Sequence, residues 1–140
     1  MFNKPVMNDS TVAAYKDIPW YCTFTLGTEA AHVRTCAIQV YNFGNALTQA
    51  VAIKLFPSAT ATGVADNTNN TITLTSGGAG ILTKPQATGS LDIEAETGST
   101  GLLNLDMTQA NATGDRYLRA VMPDGTIVTS AVIAFTGAFE

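Results

Sequence analysis

"GDRYLRAVMPDGTIVTSAVIAF" runs from Gly114 to Phe135, and its reading decides the fold. Two stretches rich in β-branched, aromatic and alternating apolar residues flank Pro123-Asp124-Gly125, a sequence with the chemistry of a tight turn. The segment therefore predicts two strands folded over a turn. The same pattern recurs upstream. "TFTLG" (Thr23 to Gly27) alternates threonine with Phe24 and Leu26. "VRTCAIQVYN" (Val33 to Asn42) puts Cys36, Ile38 and Val40 on one face, the expected core face, together with Arg34. "FGNAL" supplies a Gly-Asn turn. "QAVAIKLF" (Gln49 to Phe56) aligns Val51, Ile53 and Leu55 in one row, and Pro57 is expected to end it for want of a ladder donor.

The excursion from Ser58 to Gly80 is polar and rich in Gly, Asn and Thr, with one short strand candidate, "TITLT" (Thr71 to Thr75). It reads as a long surface loop or a small edge hairpin. "GSLDIEAET" (Gly89 to Thr97) turns Leu91, Ile93 and Ala95 inward and Asp92, Glu94 and Glu96 outward. "LLNLDMT" (Leu102 to Thr108) puts Leu103, Leu105 and Met107 on one side. No segment sustains an i, i+3, i+4 apolar pattern over three turns. The expectation is an all-β protein, a β-sandwich of about seven strands, with a barrel as the second architecture. The division expected is an extended N-terminal arm over residues 1–22 and the sandwich over 23–140. The arm carries two prolines and three aromatic residues, Phe2, Tyr15 and Trp20, without periodicity, which suits a segment ordered by packing on a partner.

Composition narrows the function classes. Of 140 residues, 46% are hydrophobic and 13% charged, with a net charge of −4. The charged share is roughly half that of an ordinary globular protein. The seven Lys and Arg residues are scattered, so nucleic acid is excluded as a partner, since it requires a basic patch. No run reaches the 18 or so apolar residues that a membrane helix needs, so no membrane partner is expected. The N-terminus lacks the apolar core of a signal peptide, which points to synthesis in a cytoplasm. Cys22 and Cys36 make neither a disulfide framework nor a zinc set; on neighbouring strands a bridge is geometrically conceivable, and in a reducing compartment they read as two buried thiols.

Chemistry-bearing residues are few. His32 is the single histidine, and Cys36 lies about 13 Å along the strand from it, beyond hydrogen-bond reach. Asp92, Glu94 and Glu96 share a strand face and read as a solvated face or one meeting a basic partner. Asp66, Asn67, Asn69 and Asn70 offer oxygen atoms without the D-x-D-x-D-G loop of a calcium site. No catalytic residue, metal ligand or cofactor site is assigned, and no enzyme activity is expected. Arg116 and Arg119 point to opposite faces of their strand, and Arg119 shares its face with Tyr117 and Val121. Tyr117 and Arg119 join Phe2, Tyr15 and Trp20 as the expected partner-binding residues.

"FTLGTEAAHVRTCAIQVYNFGNALTQAVAIKLF" together with "YLRAVMPDGTIVTSAVIAF" resembles a family of small Ig-like domain proteins of tailed bacteriophages. The resemblance spans about Phe24 to Phe135. It departs at "YNFGN", where an acidic turn is common, and at "LFPSATATG", which replaces a Leu-Ser-Asp run. It implies an Ig-like sandwich and a non-enzymatic virion structural protein. The form expected is a capsid decoration (cement) protein that binds the major capsid protein or other virion subunits and forms a homo-oligomer on the particle. The alternative it implies is an accessory tail or head-fibre module that binds host-surface carbohydrate.

Overall fold

The computed structural model describes residues 7–8, 18–58, 70–86, 93–109 and 114–135. Twelve strands run through them: β1 (Met7–Asn8), β2 (Trp20–Leu26), β3 (Val33–Asn42), β4 (Asn45–Ala46), β5 (Ala52–Ser58), β6 (Asn70–Leu74), β7 (Ile81–Lys84), β8 (Ile93–Glu96), β9 (Leu102–Gln109), β10 (Gly114–Val121), β11 (Ile127–Thr129) and β12 (Ile133–Phe135). Among the described residues there is no helix. A seven-stranded sheet follows the order β1-β11-β10-β5-β8-β7, with β12 also on β10; a five-stranded sheet follows β2-β3-β9-β6, with β4 on β3. All pairs are antiparallel except β1 with β11. The protein is an all-β sandwich.

Alternation builds the core. Cys36, Ile38 and Val40 of β3 and Leu103, Leu105 and Met107 of β9 are buried, and they meet Ile53, Leu55, Ile93, Ala95, Leu118 and Ala120 from the other sheet. Period-two patterning is enough for this, because each strand has one face on the core and one outside. Arg34 shares the inner face of β3, as the sequence predicts. It resolves its charge by spanning the sandwich: its Nε donates to the Gly27 carbonyl at 2.8 Å and its Nη1 to the Ala134 carbonyl at 3.0 Å. One guanidinium thus ties β12 of one sheet to the end of β2 in the other.

The closing hairpin forms over its turn. The Gly125 N–H donates to the Met122 carbonyl at 2.9 Å, and the Thr126 N–H to Asp124 Oδ1 at 3.0 Å. Gly125 takes φ +89°, the left-handed residue that follows a type I turn in a three-residue hairpin loop. The second arm is broken where its sequence looks continuous. Arg119 pairs with Thr129, yet Arg116 pairs with Ile133, so one extra residue intervenes on the outer arm. Ser130 fills the gap: the Leu118 N–H donates to its Oγ at 3.0 Å, and its own N–H donates back to the Leu118 carbonyl at 2.9 Å. This bulge reverses the parity, so that Val128, Ile133 and Phe135 all face the core.

Four local expectations need correction. Pro57 does not end β5, which runs to Ser58 with Pro57 opposite Leu118. Leu118 spends its backbone groups on Ser130, so Pro57 turns its missing donor away from β10, beyond the Ile93 start of β8. At "FGNAL", Phe43 (φ +50°) and Gly44 (φ +82°) are the turn residues, with Asn42 and Asn45 paired beside them. β2 begins at Trp20, so Trp20, Tyr21 and Cys22 belong to the sandwich rather than to an arm; their alternation was too short to read next to Pro19. Finally, β6 and the unforeseen β7 sit in different sheets, so "TITLT" is an edge strand on β9 instead of half a hairpin.

Candidate partner-binding surfaces

The outer face of the seven-stranded sheet gathers Tyr117 and Arg119 with residues from two neighbouring strands. Arg119 lies opposite Phe56 on one side and Thr129 on the other. Its guanidinium carbon stands 5.5 Å from the Phe56 ring centroid, and its Nε donates to Thr129 Oγ1 at 3.2 Å. The cation therefore sits on an aromatic face across the strand, an arrangement that fixes its planar fork and shields part of it from water. Arg116 points to the opposite face, as its spacing predicts, and its Nη1 donates to the Asp115 carbonyl at 2.8 Å.

Further along the same face, Val121 pairs with Lys54 and Ile127, and Lys54 with Glu94. A hollow of about 310 Å³ opens here, lined by Ala52, Lys54, Glu94, Val121, Pro123 and Gly125 among others. One cation, one carboxylate and apolar walls suit an inserted side chain of mixed character. Of the predicted acidic row, Glu94 is half-buried and Glu96 exposed; Asp92 lies outside the described residues.

The outer face of the five-stranded sheet is different. Gly27, Thr35, Asp106 and Thr73 form one cross-strand row, and Thr25, Ala37 and Asn104 form the next. Thr75 Oγ1 donates to Asp106 Oδ1 at 2.7 Å, and the Ala79 N–H donates to Asn104 Oδ1 at 2.8 Å. These bonds hold the β6–β7 connection down and use the polar groups of the face internally. Gly27 approaches Thr35 closely, and a Cβ there would force the Thr35 hydroxyl to move.

At one end of this sheet Trp20 pairs with Asn42, and the Phe43 N–H and Asn42 Nδ2 both donate to the Pro19 carbonyl, at 3.1 and 2.7 Å. Trp20 is half-buried against the core, whereas Phe43 is 53% exposed. The structure thus brings Trp20 close to the Phe43 turn, on the other sheet from Arg119's group. Phe2 and Tyr15 lie outside the described residues, so their predicted role has no structural description. Sequence reading missed Phe56 and Phe43. The alternation of "QAVAIKLF" put Phe56 outward, but only the β5–β10 register aligns it with Arg119.

The candidate reactive residues do not converge. Cys22 and Cys36 are buried thiols that form no disulfide. Cys22 lies opposite Val40 and Cys36 opposite Leu26, a separation of four residues or about 13 Å along the strands. His32 sits at the tip between β2 and β3, with φ +69° after Ala31 at +50°. Among the described residues no three His, Cys, Asp or Glu side chains could together hold a metal ion. Asp66, Asn67 and Asn69 are outside them. No family model matches the chain, and no curated protein matches it.

Proposed function

We propose that the chain is a non-enzymatic structural subunit of a tailed-phage particle, a capsid decoration protein that works by binding assembled subunits. The observation that carries this reading is the Arg119–Phe56–Thr129 group on the outer face of the seven-stranded sheet, a cation held in place beside half-buried Tyr117. Arginine and aromatic side chains in such settings dominate protein interfaces. The weakly charged surface and the resemblance of Phe24 to Phe135 to phage Ig-like proteins support the same class. The major capsid protein is the expected partner, and repetition of a modest contact over a symmetric lattice raises its strength through avidity. The virion is the location that follows.

The experiment is co-sedimentation of purified chain with intact particles of its phage, alongside a chain lacking residues 1–17. The full chain pellets with particles at saturating, stoichiometric occupancy. The shortened chain, which also lacks β1, keeps most of the β spectrum and loses most of that binding, as the expected anchoring role of Phe2 and Tyr15 requires. Failure of the full chain to bind particles overturns the reading.

A further inference from the structure

We propose that Phe43 of one copy of this chain inserts into the Lys54–Glu94 hollow of a second copy, so that the protein associates with itself by a knob and a socket. The inference concerns the free protein and stands whether or not the chain binds a particle.

Phe43 is an anomaly at its position. Phenylalanine takes the left-handed region there (φ +50°), where a bulky side chain is strained and asparagine or glycine is the ordinary choice. Its ring gains little burial in exchange, being 53% exposed at the tip between β3 and β4. The turn holds it firmly, because the Phe43 N–H and Asn42 Nδ2 both donate to the Pro19 carbonyl, at 3.1 and 2.7 Å. A strained, exposed and fixed aromatic residue has the profile of a contact anchor: strain that the chain does not recover in its own core is recovered at a partner. The setting is uncharged, with no Asp, Glu, Lys or Arg from Gln39 to Ile53. Such a tip suits an apolar pocket.

The hollow on the seven-stranded sheet is such a pocket. At about 310 Å³ it exceeds the roughly 150 Å³ that suffices to hold a benzene ring. Val121, Pro123 and the Ala52 methyl give it apolar walls, and Ala52 is the smallest side chain in the outer row of β5. Lys54 and Glu94 lie opposite each other and bring one charge of each sign. The Lys54 ammonium completes the fit by a cation–π contact with the inserted ring. The other hollow, about 280 Å³, is lined by Thr25, Thr35, Thr75 and Asn104 and has no cation in its wall. Phe43 is not among the residues lining the Lys54–Glu94 hollow, and its turn belongs to the five-stranded sheet. Each copy thus carries one knob and one socket, and a second copy supplies the counterpart of both.

The test is sedimentation velocity on the full chain over a concentration series, with one substitution in the knob and one in the socket. The wild type self-associates reversibly. Phe43→Asn removes the ring at a position that asparagine accepts, and Ala52→Trp fills the hollow from an exposed strand position. Each weakens self-association about tenfold or more, with an unchanged far-UV circular dichroism spectrum. An equimolar mixture of the two variants restores association, because Phe43 of the Ala52→Trp chain still finds the open hollow of the Phe43→Asn chain. That complementation separates a knob-and-socket contact from general stickiness of the ring. A wild type that stays monomeric up to millimolar concentration overturns the proposal. So does either variant with unchanged association, or a mixture that associates no more than its components.

Discussion

On the outer face of the seven-stranded sheet, Arg119 lies over Phe56 beside Tyr117, and Lys54 faces Glu94; on the outer face of the five-stranded sheet, Thr35, Asp106 and Thr73 stand in a row behind Gly27. Both faces are built on the same pleat and back onto the same core. The difference lies in how their polar groups are used. The threonine-rich face spends Asp106 and Asn104 on holding its own β6–β7 connection. The other face holds a cation over an aromatic ring; hollows of similar size, about 310 and 280 Å³, open on both faces and do not separate them. A face whose polar groups already serve each other gains little from a partner, whereas a fixed arginine has less conformational entropy to lose on binding.

The hardest challenge to this comparison is the core that both faces share. Leu105 is fully buried, and Leu105→Ala is expected to cost about 2–5 kcal/mol. Trp20 fluorescence, which reports the five-stranded sheet, and far-UV circular dichroism, which reports both, should give one coincident urea transition. Separate transitions would mean that the faces belong to independently stable layers.

Gln109 gives a change of opposite sign at one end of the five-stranded sheet. It is 0% exposed, and among the described residues neither carboxamide atom has a hydrogen-bond partner. Replacing it with leucine removes an unpaid desolvation, so Gln109→Leu should raise stability by about 1–3 kcal/mol. A loss of stability would show that the carboxamide has a structural use.

The faces themselves are separated by a paired substitution. Arg119→Ala is expected to weaken particle binding by about tenfold or more, with under about 1 kcal/mol of stability lost. Thr35→Lys, exposed on the other face, should leave binding within about twofold. Equal losses in co-sedimentation would remove the distinction.

The smallest effect is expected at the Phe43-Gly44 turn. Phenylalanine holds φ +50° there and exposes half its surface, although Asn-Gly is the preferred pair for a two-residue hairpin turn. Phe43→Asn should raise the melting temperature slightly, by up to about 1 kcal/mol in free-energy terms. An unchanged or lower melting temperature would show that the ring contributes packing that its exposure conceals.

Much of this architecture was legible in residue order. The inner rows of β3 and β9 follow from alternation alone, as does the outward pairing of Tyr117 with Arg119 on one face. The PDG turn and the two cysteines as buried, unbridged thiols were readable too. The places where reading failed have a common cause. Pro57 looked like a stop because its missing donor is visible in sequence, while the direction in which that donor points depends on Leu118 and Ser130. "IVTSAVIAF" looked like one strand because a bulge leaves no mark in composition. Phe56 looked like an ordinary outward residue until β10 was laid beside it.

The sequence by itself determined that this protein is all-β, most of its longer strands and the inner rows of β3 and β9, because a period of two and the turn residues are local properties of the chain. Tertiary structure alone decided the partners across strands: Arg119 over Phe56, Arg34 between the sheets and Gln86 against β6. Those relations depend on register and sheet order, which bring together residues far apart in the chain, and no local pattern encodes them.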